Sequence, residues 1–268
     1  MSHGPVLVLG GTTEARELAT LLHAHDVPVV TSLAGRVAAP RLPPGEVRIG
    51  GFGGADGLAR WLTERRCAAV VDATHPFAVR MAANAAHAGR RAGVPVLRLE
   101  RPGWSERPGD DWHRVADLGA AARAVSAMPP VPRGGAPRVE AGVPPRVLLA
   151  LGRQELAAFA AVSDVWFLIR SIGPPLPPLP PQHELVLGRG PFSLEAERAL
   201  LDRHAIDAVV TRDSGGDSGI AKLAAARELG LPVIVIARPG RPALPSVGTV
   251  YEAARWLPLV VSVRRHLQ

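Results

Sequence analysis
The sequence predicts an α/β protein of two similar domains, each a parallel sheet with helices on both faces, and a cleft between the two. Three observations carry that reading. Short continuous apolar runs alternate with amphipathic stretches along most of the 268 residues, the signature of parallel strands covered on both faces. Hydrophobic residues make up 47% of the chain, ample for real cores. The two halves also repeat each other in order.

The repeat has three matched segments. Val6-Leu7-Val8-Leu9-Gly10 is echoed by Val147-Leu148-Leu149-Ala150-Leu151-Gly152, Ala68-Ala69-Val70-Val71 by Asp207-Ala208-Val209-Val210, and Arg101-Pro102-Gly103 by Arg238-Pro239-Gly240. Their offsets of 142, 139 and 137 residues agree closely enough to set two halves of like topology. In the first half, strands are expected near 5–9, 28–33, 46–49, 68–72 and 95–99, with helices near 12–25, 54–65 and 77–92. In the second, strands are expected near 146–151, 164–169, 183–187, 207–211 and 232–236. Helices there fall near 153–161, 192–204, 219–229 and 249–257. The domains are therefore placed at 1–102 and 103–268. The Pro- and Gly-rich stretch 128–145 reads as a disordered insertion. Gly173 to Pro181, mostly proline and leucine, reads as a stiff connector.

Composition excludes several classes. The formal charge is +7, but the basic residues are dispersed, and five Phe and one Tyr offer little for base stacking. Nucleic acid is not expected as a partner; small anionic ligands are. Cys67 is the single cysteine, so neither a disulfide nor a cysteine zinc site is expected. No apolar run is long enough for a bilayer, and the first residues lack a signal-peptide layout, so a cytoplasmic location away from membranes is expected. The scattered histidines form no metal motif, and no Gly-x-Ser-x-Gly elbow occurs.

Ligands of parallel sheets sit beyond the carboxyl ends of strands, which singles out four loops. Gly10-Gly11-Thr12-Thr13 opens a helix directly after the first strand. Its glycines let a phosphate approach the backbone, and its threonine hydroxyls are expected to donate to a diphosphate. A threonine-capped helix start explains the same residues without a ligand. At the end of the second strand, Ser32, Gly35 and Arg36 stand where an NAD site places an acidic residue, and suit a 2′-phosphate, hence NADPH. The third loop holds Asp72-Ala73-Thr74-His75-Pro76, with Thr74 expected near the cofactor and His75 either orienting a substrate or donating a proton. The fourth, Thr211 to Ser218, combines Asp213, Ser214, Gly215 and Gly216 with the following Lys222, a set suited to an anion. A glycine turn with a helix cap accounts for it equally well. Together these features make the domains Rossmann-like.

In this order the loops resemble the precorrin-6A reductase family of cobalamin biosynthesis. The resemblance rests on Gly10 to Ala15, Ser32 to Arg36, Asp72-Ala73-Thr74-His75-Pro76-Phe77, Glu100-Arg101-Pro102 with Trp104, Gly190-Pro191-Phe192, Thr211 to Gly216 with Lys222, and Arg238-Pro239. It spans nearly the whole chain apart from 128–145. It implies NADPH-dependent reduction of a ring double bond in a polycarboxylate tetrapyrrole, precorrin-6A to precorrin-6B, with transfer of intermediates between neighbouring pathway enzymes. A related branch takes the cobalt-containing substrate. His75, Arg101, Ser214, Gly215, Gly216 and Lys222 are expected to contact that substrate. Where the family often has Thr-Lys-Asn-Ser-Gly-Gly, this chain has Thr211-Arg212-Asp213-Ser214-Gly215-Gly216, so Asp213 joins His75 as a possible proton donor. Another NADP-dependent reductase on the same fold, or an NADP(H)-sensing regulator without turnover, are the rival readings.

Arg36→Glu sets a negative charge where a 2′-phosphate is expected. It should weaken NADPH roughly ten- to a hundredfold, from a loss of about 1.5–3 kcal/mol, and NADH far less. Titration of both nucleotides checks this, and equal losses remove the loop from the cofactor site.

Overall fold
A computed structural model describes residues 4–35, 42–128 and 143–263. The chain begins with β1 (Val6–Leu9), α1 (Thr13–Ala24), β2 (Val29–Leu33), β3 (Glu46–Ile49), α2 (Gly54–Glu64), β4 (Ala69–Asp72), α3 (Val79–Ala92) and β5 (Val96–Leu99). It continues with β6 (Trp112–Val115), α4 (Leu118–Ser126), β7 (Arg146–Ala150), β8 (Trp166–Ser171), β9 (His183–Leu187), α5 (Leu194–Arg203), β10 (Ala208–Arg212), α6 (Ile220–Glu228) and β11 (Val233–Ile236). It closes with β12 (Ser246–Val247) and α7 (Val250–Val263).

The chain divides into two compact units, Met1–Pro102 with Gly240–Gln268, and Gly103–Pro239. Each holds a six-stranded parallel sheet, in the orders β12-β5-β4-β1-β2-β3 and β6-β11-β10-β7-β8-β9. The two orders are the same once β1 is matched with β7. One exchange separates them. β6 follows β5 in sequence yet pairs with β11, whereas β12 follows β11 yet pairs with β5. The repeated Arg-Pro-Gly motifs mark both crossings between units.

This return corrects the expected second domain of 103–268, because 240–263 belongs to the first unit. Val247 pairs with Leu99, and Ala253 and Leu257 of α7 lie buried in the same cluster as Val6, Val8, Leu18 and Leu22. That burial removes α7's apolar stripe from water, a gain of about 1.5–3 kcal/mol for a side chain such as Leu257. On the opposite sheet face, Leu7 and Leu9 pack against Leu58 and Leu62 of α2 and Ala85 and Ala88 of α3. In the second unit α5 and α6 cover one face through Leu201, Leu223 and Ala226.

Three elements were not expected. β6 is a half-exposed edge strand of mixed polarity, α4 is a short helix whose buried face is Ala121, Ala122 and Val125, and β12 has only two residues. The helix expected at 153–161 is only a 3-10 turn, Leu156–Phe159. Its start is held otherwise: the Glu155 carboxylate turns back to accept from the Gly152 amide at 2.6 Å and from Arg212 at 2.9 Å. Gly173–Pro181 connects β8 to β9 without regular structure. Most of the insertion expected at 128–145 lies outside the described residues.

Candidate functional site
The strand order of the first unit reverses between β1 and β4, so the loops after these strands flank its switch point. After β1, the Gly10 amide donates to the Ser32 carbonyl at 2.9 Å. A Cβ on Gly10 would lie 3.0 Å from Thr31 and 3.2 Å from Leu33, so the chain passes close to the end of β2. Gly11 has φ +112° and open space around it, a conformation that favours glycine. Thr12 caps α1 by accepting from the Ala15 amide at 3.1 Å, and donates its hydroxyl hydrogen to the Ala73 carbonyl at 2.8 Å. The Thr12 hydroxyl therefore joins the two switch-point loops. Thr13 is exposed and accepts from Arg16 at 3.1 Å, which leaves its own hydrogen to donate. Ser32 is buried, and Gly35 is exposed with φ +70°. Arg36 lies outside the described residues.

The loop after β4 is built on a buried charge network. Asp72, with no exposed surface, accepts from the Thr74 amide at 3.2 Å and the Thr74 hydroxyl at 2.6 Å through Oδ1. Its Oδ2 accepts from Arg241 Nη2 at 2.8 Å. The Arg241 side chain is 4% exposed; it also donates to Thr74 Oγ1 at 3.2 Å and to Glu100 at 3.0 Å. Arg98 completes the set, 3.7 Å from Glu100 and 2.8 Å from the Pro242 carbonyl. His75 follows, half-buried, with Nδ1 accepting from the Phe77 amide at 3.3 Å. A neutral His75 ring then carries its hydrogen on Nε2.

Arg101, expected to bind substrate, pairs with Glu14 at 2.7 Å. Glu14 lies in the first turn of α1, where a bare carboxylate would repel a phosphate; Arg101 neutralises it.

The second unit reverses its order between β7 and β10. Asp213 is buried after β10 and accepts from the Trp104 amide at 2.9 Å, with Arg114 3.6 Å away. Its carboxylate is thus engaged as an acceptor. Trp104 also donates from its indole to the Gly216 carbonyl at 2.8 Å. The Ser214 amide donates to the Arg212 carbonyl at 2.7 Å, and Gly215 and Gly216 take φ +64° and +69°. Lys222, 7% exposed, lies 4.7 Å from the Trp104 ring and donates to the Gly219 carbonyl at 3.0 Å. Burial pushes its ammonium down to about 7; Arg170 lowers it further, Glu197 opposes, and Arg212 adds to the lowering. Arg170 pairs with Glu197 at 2.7 Å and Arg212 with Glu155 at 2.9 Å, so the two arginines near Lys222 each carry a carboxylate partner.

Arg241 and Glu155 escaped the sequence reading, and Glu100 was given no role in it. A signal for Glu155 did exist, since the repeat offset of 142 sets it opposite Thr13. Arg241 directly follows the second Arg-Pro-Gly, but its partners lie far off in sequence. The glycine-rich run Gly50 to Gly54 after β3 was also missed; Arg48 holds it by donating to the Gly50 and Gly51 carbonyls and stacks 3.9 Å from the Phe52 ring centre. Among the described residues, no acidic, histidine or cysteine cluster could hold a metal ion, and no helix is long and apolar enough to cross a membrane.

The family model of the precorrin-6x reductases (CbiJ/CobK) matches residues 5–258. The chain belongs to this family. Precorrin-6x reductases similar to it include the precorrin-6A reductase of Rhodococcus erythropolis, 49% identical over 94% of this chain and 96% of the relative. That of Mycobacterium tuberculosis is also 49% identical, with the same coverage. The cobalt-precorrin-6A reductase of Salmonella typhimurium is 33% identical over 89% of each chain. A solved structure of CobK precorrin-6A reductase aligns with a TM-score of 0.85 at 43% identity, covering 96% of this chain and 97% of that one. Family and fold together make the chain a reductase with two parallel-sheet domains.

Lys222 allows a signed test. Its folded value lies below the ordinary 10.5, so the buried charge costs stability that is fully felt below about pH 7 and is relieved as pH rises toward 10.5. Lys222→Met should raise the melting temperature more at about pH 6 than at about pH 10. A uniform shift across pH would mean that Lys222 titrates normally.

Proposed function
We propose that this chain is an NADPH-dependent precorrin-6A reductase. The observation that carries the reading is 49% identity to precorrin-6A reductases over nearly all of both chains, together with switch-point loops suited to a dinucleotide. Identity to a cobalt-precorrin-6A reductase is lower, at 33%, which favours the cobalt-free substrate.

The cofactor belongs on the first unit. Gly11 leaves room for a phosphate, the exposed Thr13 can donate to it, and α1 begins there with a full helix behind it. Gly35 sits at the end of β2, where the cofactor's 2′-phosphate end is assigned together with Arg36. The equivalent loop of the second unit is less suited, because the Glu155 carboxylate fills the loop itself and only a short 3-10 turn follows. The second unit is instead assigned to the carboxylates of the tetrapyrrole, through the Ser214-Gly215-Gly216 turn and Lys222.

NADPH, when bound, supplies a hydride to one carbon of a ring double bond. A proton must then reach the other carbon. His75 as the imidazolium is the assigned donor, passing on its Nε2 proton and regaining one from solvent, because the Asp213 carboxylate is engaged by Trp104 and Arg114. The protein's further contribution is to align the ligands and exclude water.

The test is NADPH oxidation by the purified chain with enzymatically prepared precorrin-6A, with NADH and the cobalt substrate run in parallel. Turnover with NADPH and precorrin-6A is expected, and His75→Ala should lower kcat about a hundredfold or more. Turnover only with the cobalt substrate would reassign the substrate. An unchanged kcat in the variant would remove His75 as the donor.

A further inference from the structure
The Asp72 network restricts what Thr74 can offer a ligand. A threonine hydroxyl has one hydrogen to donate and two lone pairs to accept with. The hydrogen is committed, since an ionised carboxylate only accepts and Asp72 Oδ1 lies 2.6 Å away. One lone pair is taken by Arg241 Nη2 at 3.2 Å. A single lone pair is left. Toward any ligand at the end of β4, Thr74 acts as an acceptor, which suits an N–H or O–H group and not a phosphate oxygen.

Both commitments are built in. Asp72 is wholly buried and cannot exchange its partners for water. Arg241 is bound on two sides, to Asp72 and to Glu100, so its guanidinium cannot swing away from Thr74 without breaking an ion pair. The four charges Asp72, Glu100, Arg98 and Arg241 balance, so removing one member would leave a buried charge unpaired.

We infer that Thr74 accepts a hydrogen bond from the carboxamide N–H of the nicotinamide, and that Arg241 is a positioning residue that, with Asp72, sets the Thr74 hydroxyl for that role. This rests on the assignment of the cofactor to the first unit. A dinucleotide with its diphosphate at the β1 loop reaches the β4 loop with its nicotinamide end. The carboxamide is the N–H donor that end presents, and Thr74 is the group whose polarity is fixed to receive it.

The experiment compares NADP⁺ with its 3-acetylpyridine analogue, in which a methyl ketone replaces the carboxamide and no N–H remains. Binding of each to the full chain is measured by calorimetry for the wild type, Thr74→Val, Thr74→Ser and Arg241→Lys. Thr74→Val should weaken NADP⁺ roughly three- to tenfold and leave the analogue within about twofold. Thr74→Ser should keep the wild-type discrimination between the two nucleotides. Arg241→Lys should reduce it, and should add little when combined with Thr74→Val. Thr74→Ala replaces the valine variant if that one does not fold. Equal losses for both nucleotides, or none for either, overturn the inference and leave the cofactor assignment standing. If the wild type binds neither nucleotide, the cofactor assignment falls and the inference falls with it.

Discussion

Two charges inside the first unit, Asp72 at the end of β4 and Arg241 in the returning segment, sit 2.8 Å apart with almost no contact with water. Removing an ion from water costs several kcal/mol unless a partner and further hydrogen bonds compensate. Here Thr74 supplies the remaining hydrogen bonds of Asp72, and Glu100 gives Arg241 a second carboxylate, while Arg241 Nε has no hydrogen-bond partner among the described residues. The pair therefore joins three stretches distant in sequence: the β4 loop, the end of β5 and the start of the return. Loss of one member would strand the other, at a cost of about 3–5 kcal/mol. The same contact ties residues 240–263 to the first unit and shapes the loop that carries Thr74 and His75.

The two units share one topology but have diverged at the same loop. In the first, Gly10 gives its amide to the Ser32 carbonyl, and Thr12 caps a twelve-residue helix. In the second, the Gly152 amide is taken by Glu155, whose other oxygen holds Arg212. A carboxylate in that seat repels an external anion, and the short turn behind it brings little helix dipole. One residue at the Thr13-equivalent position thus separates a loop open to phosphate from one filled by the chain itself.

The second unit invests its polar groups in the loop after β10. Trp104 holds that loop at two points, Asp213 and Gly216, and its ring lies beside Lys222. An ammonium among two arginines inside the unit is costly, and Glu197 and the Gly219 carbonyl offset only part of that cost. These contacts fix the loop's geometry from within the unit.

The sequence by itself determined the alternation of strands and helices, the repeat and the four loops, because each is written in local apolar runs and in glycine, proline and threonine at strand ends. It also placed most elements within a few residues, as with α1, β3 and β9. Edge elements such as β6 and β12 escaped, since a strand half-exposed or two residues long has no apolar run to betray it. Which groups at the site are committed was decided only by tertiary structure. Thr12 loses its hydrogen to Ala73, Arg101 is claimed by Glu14, and Asp213 is claimed by Trp104, each across 61 to 109 residues of chain. A hydroxyl or carboxylate shows its type in the sequence, but its donors and acceptors are assigned by whichever partners folding brings within 3 Å or so, and burial then makes those assignments costly to reverse.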